Sequence, residues 1–188
     1  MADPSAQDEV GALKRIIEIT GLMNSTLNLD DLLQQIMSSA AELLHAETSS
    51  LLLVDEETGD LTINVATGES GQNVTRRSVP AGQGIAGWVV ENGEPAIVES
   101  PRDDPRFYAV MDQAIAFETR NILALPLKVR DKTIGVVEVI NKQEGAFTEK
   151  DQELAGALAN QAAIAIDNAR LYARLADAVV TSRMSYRL

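Results

Sequence analysis

The spacing of apolar side chains predicts long helices at both ends of this chain. Residues 8–23 and 28–45 carry apolar positions three or four apart, as amphipathic helices do, and Asn28 or Asp30 is suited to cap the second helix. A further helix is predicted to begin after the cap residue Thr148 and to continue to Leu175 or beyond. Two long terminal helices are therefore expected to frame the middle of the chain.

The middle of the chain contains shorter runs that are rich in β-branched and apolar residues, as strands are. These runs predict strands at 49–54, 61–66, 74–79, 96–99, 122–130 and 133–140. A short helix is predicted from about Gly84 to Gly93, and 103–117 is either a loop or a short helix. The order of elements predicts one unit that mixes helices with a sheet.

The last two strands predict a β-hairpin with Asp131 and Lys132 as its loop. If these two residues alone form the loop, Leu125 pairs with Glu138. Because side chains alternate across a strand, this register places Thr119, Leu125 and Glu138 on one face of the sheet. A hydroxyl and a carboxylate are thus expected on an otherwise apolar face.

The composition limits the classes to which the protein can belong. The chain has 188 residues, of which 45% are hydrophobic, so one domain with a sizeable core is expected. It has no cysteine, which excludes disulfides, a thiolate nucleophile and cysteine metal ligands. Its single histidine, His45, excludes a histidine metal cluster.

Charge and hydropathy bear on partners and location. The net charge of −12 repels phosphate backbones and anionic lipids, so neither nucleic acid nor a membrane is expected as a partner. No apolar run approaches the roughly 20 residues that cross a bilayer, and residues 1–7 lack the layout of a signal peptide. A cytoplasmic location is expected. An anionic ligand would need a local basic or amide-lined pocket.

A glycine motif precedes the short central helix. Residues 82–87 fit the pattern G-x-G-x-x-G, which in dinucleotide-binding folds brings a pyrophosphate to a helix N-terminus. That fold needs an apolar strand directly before the glycines, whereas this chain has Arg76 and Arg77 there. The motif is better interpreted as a turn and helix start whose free amides could still meet an anion.

Several motifs taken together resemble the GAF domain over about residues 10–175. They are the glycine motif at 82–87, D-P-R-F at 104–107, T-R-N-I-L at 119–123, I-G-V at 134–136, and Asn141-Lys142 followed by Phe147 and Asp151. The resemblance implies an α+β fold with a six-stranded antiparallel sheet, helices on both faces, a small-molecule pocket on one face, and terminal helices that form a dimer bundle. Residues 1–9 would be a tail and 176–188 a helical extension or tail.

Asn141, Lys142, Phe147 and Asp151 resemble the N-K-F-D signature of the cyclic-nucleotide-binding GAF domains of phosphodiesterases and bacterial adenylyl cyclases. Gln152 departs from the signature, which closes with glutamate. The resemblance implies that the lysine and the aspartate brace the pocket without touching the ligand. A strand exit, a core phenylalanine and a helix-cap acid would also explain all four residues.

The same resemblance implies a set of ligand-binding positions. A purine would lie between apolar groups, its edge would meet the polar side chains, and its cyclic phosphate would meet backbone amides at the short helix. The positions are Ile85, Ala86, Tyr108, Asp112, Thr119 and Glu138.

Two functions follow from the resemblance. One is a sensor of cyclic GMP or cyclic AMP, with no other cofactor, that signals through terminal dimer helices. The other is a ligand-free module for homodimerisation through 8–23 and 154–175. An enzyme is not expected, because the free-methionine-sulfoxide reductases of this family require cysteines.

Overall fold

A computed structural model describes residues 28–69 and 71–185, without the side chains of Ile115 and of residues 176–185. Its helices are α1 (Leu29–Leu43), α2 (Gly71–Val74), α3 (Gly84–Asn92), α4 (Val110–Ile115) and α5 (Glu149–Ser185), with a 3₁₀ helix at Pro101–Asp103. Its strands are β1 (Ala46–Val54), β2 (Leu61–Ala66), β3 (Ser78–Val79), β4 (Ala96–Val98), β5 (Ile122–Val129) and β6 (Lys132–Lys142). The predicted helix at 8–23 lies outside the described residues.

The six strands form one sheet in the order β3-β2-β1-β6-β5-β4, and every neighbouring pair is antiparallel. The predicted α+β fold with a six-stranded antiparallel sheet is confirmed. β6 pairs with β1 on one side and with β5 on the other. A side chain in the middle of β6 is therefore held at the centre of the molecule.

Helices cover both faces of this sheet, and each face has its own core. On the first face, α1 and α5 pack on the sheet around fully buried residues such as Ile36, Leu123 and Leu158. On the second face, α3 packs on the sheet around Val89 and Val136. The short helices α2 and α4 and their flanking loops cover the rest of the second face.

Several predicted element ends are confirmed. The Asn28 side chain caps α1 by accepting a hydrogen bond from the N–H of Asp30 at 3.2 Å. β2 has the predicted bounds. α3 ends at Gly93, whose φ of 64° is the left-handed conformation that glycine adopts readily after a helix.

The predicted third strand at 74–79 is wrong in part. Residues Gly71–Val74 form α2, and Thr75 continues its hydrogen bonding to Gly71. Arg76 then has a φ of 72°, which an extended strand does not allow. As a result, β3 is limited to Ser78 and Val79, although backbone hydrogen bonds still join Arg76 and Arg77 to Ile63 of β2.

The predicted loop of the β5–β6 hairpin is displaced by one residue. The turn residues are Arg130 and Asp131, with φ of 48° and 65°, as a type I′ turn requires. Lys132 is already in β6, where it pairs with Val129.

The predicted pairing within this hairpin is therefore wrong. A bulge after Leu127 shifts the register, and Ala124 rather than Leu125 lies opposite Glu138. Leu125 belongs to the core beneath α1 and α5, whereas Ala124 belongs to the core of the second face. Glu138 projects with Ala124 toward the second face.

The longest helix, α5, has 37 residues. Its N-terminal half packs on the sheet, where Leu158 and Ile166 are buried. Among the side chains of α5 that the structure describes, four large apolar ones are exposed: Ile164, Leu171, Tyr172 and Leu175. In the described part of the chain, no helix is both long enough and apolar enough to cross a bilayer.

Candidate ligand-binding site

A cavity lies between the second face of the sheet and the short elements that cover it. It has two adjoining lobes, of about 90 Å³ and about 70 Å³. Apolar side chains of β2 and β6, such as Ile63 and Ile140, form walls common to both lobes. The polar groups of the cavity come from the first turn of α3, from α4 and the residues on either side of it, from β1 and from β6.

The first turn of α3 forms one end of the larger lobe. The residue before the helix, Gln83, makes no side-chain cap, and the first intrahelical bond is donated by Gly87 to the Gln83 carbonyl. The amides of Gly84, Ile85 and Ala86 precede that bond and so have no acceptor within the helix. Because these three residues line the lobe, their amides and the positive end of the helix dipole make this end suited to an anion.

Packing explains the glycine spacing before α3. Gly82 and Gly84 have φ of 72° and 75°. A Cβ on Gly87 would lie 2.6 Å from the carbonyl carbon of Gly82, so the chain folds back closely on the helix. The strand before this motif, β3, is antiparallel to β2, unlike the parallel unit of a dinucleotide-binding fold. The predicted turn and helix start are confirmed.

Residues 107–117, here called the lid, cover the cavity and include α4. Asp112 fastens the lid to the residues before β5, because its carboxylate accepts hydrogen bonds from the Thr119 N–H at 2.8 Å and from the Thr119 hydroxyl at 2.7 Å. Met111 lines both lobes beside it. The enclosed volume is smaller than the roughly 300–1,000 Å³ of typical ligand pockets, so a drug-sized ligand would require the lid to move outward.

Glu138 projects from the middle of β6 into the wall that both lobes share. Burial raises the pKa of its carboxyl to about 7, the negative charge of Asp112 adds to the rise, and a hydrogen bond from the Ser50 hydroxyl opposes it. The side chain keeps partial exposure through the cavity although protein surrounds its carboxyl. Near neutral pH, Glu138 is therefore divided between its protonated and ionised forms.

Asn141 holds the segment that carries Thr119. It is fully buried, and its φ of 62° is a left-handed conformation that asparagine tolerates better than most residues. Its side-chain oxygen accepts from the Arg120 N–H at 2.7 Å, and its amide group donates to the Glu118 carbonyl and to Glu47, each at 2.8 Å. These bonds fix the backbone on both sides of Thr119.

Lys142 and Asp151 connect the end of β6 to the start of α5. Their Nζ and Oδ2 atoms are 2.5 Å apart, and both side chains are largely buried. The Asp151 carboxylate also accepts from the Thr148 N–H at 2.8 Å, while the Thr148 hydroxyl accepts from the Asp151 N–H at 3.2 Å. This reciprocal pair is a capping box, and it confirms Thr148 as the predicted cap.

The four residues of the predicted bracing set do not line the cavity. Phe147 is buried in the core beneath α1 and α5, on the opposite face of the sheet, and the Lys142 ammonium lies 5.8 Å from its ring centre. Asn141 hydrogen-bonds to the backbone of Glu118 and Arg120, on either side of Thr119, and its bracing of the pocket stays a prediction. The geometry is that of a brace at the sheet end.

Trp88 connects α3 to Arg106 through a cation–π contact. It follows the α3 residues that line the lobe by less than one turn, and the Arg106 guanidinium stacks 4.7 Å from its ring centre. Two hydrogen bonds from Arg106 to Asp104, at 2.9 and 2.6 Å, hold the guanidinium and keep the pKa of that carboxyl below its ordinary value. The residues that lead into the lid are thereby tied to α3.

All six predicted ligand positions lie around one cavity. Ile85, Ala86, Tyr108, Asp112, Thr119 and Glu138 each line its larger lobe. Asp112 lies in α4, whereas Tyr108 precedes that helix, which begins at Val110. That these six side chains contact a ligand stays a prediction.

The sequence reasoning missed three residues that shape the site. Ser50 had only a weak signal, since it is the last of four consecutive polar residues at 47–50 in β1. Met111 had none beyond its position next to Asp112. Glu47 had none, because its contact with Asn141 joins positions 94 residues apart.

Known proteins resemble this chain along most of its length. A family profile described as the GAF domain matches residues 26–167. The probable 3′,5′-cyclic phosphodiesterase pde-5 of Caenorhabditis elegans is 30% identical over 178 residues, which cover 89% of this chain and 24% of that protein. The chain thus spans about a quarter of the length of this curated relative.

Solved structures have the same fold. The GAF domain of a phosphoenolpyruvate-protein phosphotransferase from Coxiella burnetii superposes with a TM-score of 0.77 at 23% identity, over 87% of this chain and 96% of that one. Free methionine-R-sulfoxide reductase from Neisseria meningitidis, in complex with its substrate, gives 0.73 at 18% identity, over 92% and 95%. At such identities the likeness extends to the fold alone.

Proposed function

The chain belongs to the GAF domain family, and from that premise we propose that it binds a cyclic nucleotide, cGMP or cAMP, in the cavity and signals binding through α5. GAF domains are in general small-molecule-sensing regulatory domains. The proposal adds a ligand class and a route to that general role, and it assigns the chain a regulatory rather than a catalytic function.

The observation that supports this proposal is that one part of the cavity favours an anion and another part favours hydrogen-bond donors. The amides of Gly84, Ile85 and Ala86, which have no acceptor within α3, favour an anion at one end of the larger lobe. Asp112 and Glu138 lie in the wall that both lobes share, where they favour hydrogen-bond donors, and most of the other side chains that line the larger lobe are apolar. A cyclic nucleotide has a phosphate at one end and a flat base edged with N–H groups at the other, so its polarity matches. The pde-5 relative, described as a cyclic phosphodiesterase, supports the same ligand class.

A continuous set of contacts leads from the lid to α5. Asp112 binds Thr119, the backbone beside Thr119 binds Asn141, and the next residue of β6, Lys142, pairs with Asp151 in the first turn of α5. A ligand that requires the lid to move would bind the open arrangement better than the closed one. That difference in affinity is what would shift the population of α5 positions.

Isothermal titration with cGMP and with cAMP tests the ligand. The single tryptophan gives a second readout, because Trp88 lies on α3 against Arg106, which leads into the lid. We expect saturable heat and a change in Trp88 fluorescence with at least one of the two nucleotides. Acyclic 5′-GMP serves as the ligand control, and the exposed-site variant Glu144→Gln as the protein control. No heat from either cyclic nucleotide at millimolar concentration would overturn the proposal.

A second role, homodimerisation, is favoured by the exposed stripe on α5. Ile164, Leu171 and Leu175 recur at spacings of seven and four, which places them along one side of the helix, and Leu175 is 63% exposed. We expect a dimer by light scattering at tens of micromolar chain and a monomer for the double variant L171E/L175E. A monomeric wild-type chain would exclude this role without bearing on nucleotide binding.

A further inference from the structure

We propose that Glu138 reads the base of the bound nucleotide: its ionised carboxylate selects guanine over adenine, and its protonation admits adenine. The inference rests on the proposed cyclic-nucleotide function and adds the residue that sets its specificity. It also makes that specificity respond to pH.

The geometry distinguishes Glu138 from the other carboxylate of the cavity. Both oxygens of Asp112 are engaged, one by the Thr119 N–H and the other by the Thr119 hydroxyl. Among the described residues, the hydrogen-bond donor to Glu138 is the Ser50 hydroxyl. A carboxyl group has about four acceptor positions, so Glu138 keeps acceptor capacity toward the cavity.

The two states of a carboxyl group fit different base edges. Guanine presents two adjacent donors, its ring N–H and its exocyclic amino group, and a carboxylate accepts both at once. Adenine presents one amino donor beside a ring nitrogen that only accepts, so a carboxylate would leave that nitrogen unpaired and opposed to a negative charge. A protonated carboxyl offers one donor and one acceptor, which match adenine. It can also meet the carbonyl and the ring N–H of guanine, so protonation relaxes the selectivity without reversing it.

The groups that face Glu138 leave both states accessible. Asp112 faces it from the lid, Tyr108 contributes a phenol from the start of the lid, and β1 contributes the uncharged hydroxyls of Thr48 and Ser50. β2 and β5 contribute apolar groups, and no lysine, arginine or histidine occurs among the described residues that line either lobe. Burial and Asp112 accordingly raise the pKa of Glu138 to about 7.

The experiment is isothermal titration of the wild-type chain with cGMP and with cAMP, each at pH 6 and at pH 8. Across this range a carboxyl with a pKa of about 7 goes from about one tenth to about nine tenths ionised. We expect cAMP affinity to fall by up to about tenfold and cGMP affinity not to fall, since neither base titrates in this interval. The ratio of the two affinities should therefore rise by about tenfold. A ratio equal at both pH values would overturn the inference.

Three variants assign the effect to Glu138. Glu138→Gln keeps one donor and one acceptor at every pH, so its affinity ratio should be independent of pH and close to the wild-type value at pH 6. Ser50→Ala removes the hydrogen bond that favours the ionised carboxyl, so the midpoint of the change in ratio should move to higher pH. Glu144→Gln, at an exposed site, should keep the wild-type profile.

The outcomes separate this inference from the proposed function. Binding of cyclic nucleotides with a ratio that ignores pH, or a Glu138→Gln variant that keeps the wild-type pH profile, overturns the role of Glu138 and leaves the function intact. Absence of binding at both pH values overturns both. If circular dichroism shows that Glu138→Gln does not fold, the Ser50→Ala midpoint decides, and an unmoved midpoint counts against the inference.

Discussion

The two faces of the sheet are built from the same strands, but one is closely packed and the other encloses a cavity. On the first face, two long helices bury a continuous apolar layer that includes Leu123, Leu127 and Leu158, each with no solvent exposure. On the second face, short helices and loops enclose a cavity with a carboxylate on the central strand. Close packing defines the fold, and the incompletely filled face is where the polar chemistry occurs.

This division means that stability and binding should respond to different substitutions. A substitution on the first face should lower the free energy of unfolding. A substitution on the second face should change nucleotide affinity and lower the free energy of unfolding less. The predictions below test that separation, beginning with the largest expected effect.

Leu158→Ala on the first face should lower the free energy of unfolding by about 2–5 kcal/mol, because it leaves a void in a layer that has no room to relax. Met111→Ala on the second face removes a similar number of atoms beside an existing cavity, and should lower it by less than about 2 kcal/mol. Urea denaturation of both variants measures the difference. Equal losses would mean that the faces do not differ in packing.

Glu138→Gln should stabilise the protein at pH 8 and have little effect at pH 4. Below its ordinary pKa of 4.5 the carboxyl is protonated in both the folded and the unfolded chain. Between pH 4.5 and about 7 the unfolded chain releases the proton and the folded chain retains it, so wild-type stability falls as pH rises and stays lower above that range. Because the pKa rises from 4.5 to about 7, and each pKa unit corresponds to about 1.4 kcal/mol, the variant gains at most roughly 3.5 kcal/mol. Denaturation at the two pH values checks this, and an equal gain at pH 4 would contradict it.

Asn141→Gly tests the brace between the two faces. Glycine accepts the positive φ of this position, so the variant removes the side-chain hydrogen bonds without adding backbone strain. We expect a loss of about 1–3 kcal/mol in unfolding free energy and weaker nucleotide binding, because residues 118–120 lose their support. The exposed neighbour variant Gln143→Ala should change neither quantity. Unchanged affinity in Asn141→Gly would show that the brace does not reach the cavity.

Gly84→Ala and Gly145→Ala form a matched pair with a φ of 75° and 72°. Each alanine is expected to lower the free energy of unfolding by about 1–2 kcal/mol through backbone strain. A Cβ at Gly84 would also lie 3.2 Å from the Cβ of Tyr108, whereas a Cβ at Gly145 meets nothing within 4 Å. Nucleotide affinity should therefore fall several-fold only in Gly84→Ala, as titration of both variants would show.

Most of the fold could be predicted from the sequence because local signals mark its elements. The apolar spacing of α1, its Asn28 cap, the Gly93 stop after α3 and the Thr148 cap are all encoded within a few residues of the feature they define. The hairpin register could not be predicted from local signals, because Arg130 and Asp131 adopt positive φ without the glycine or asparagine that usually marks such a turn. The bulge after Leu127 had a marker that the sequence reasoning did not use, since Gly135 pairs with Leu127 and Pro126 precedes it, and both residue types occur at bulges.

The expectation that Thr119 and Glu138 lie near each other is correct, although the strand register from which it was argued is wrong. Thr119 and Glu138 do line one cavity, but strand alternation is not the reason. Thr119 lies before β5, and the side chain of Asn141 fixes the backbone on either side of it. Contacts between positions so distant in sequence are set by tertiary packing, which is why resemblance to a family located these residues and periodicity did not.

The continuity of α5 makes it suited to carry rotation over distance. A helix of 37 residues is about 55 Å long, at roughly 1.5 Å per residue, and its first turn is anchored by the Lys142–Asp151 pair. Each residue inserted into such a rod turns everything beyond it by about 100°. If a reporter enzyme is fused after Ser185 through helical linkers of increasing length, its activity should therefore rise and fall periodically. The period should be about seven residues, which is two full turns of the helix, and the activity should not simply decline with linker length.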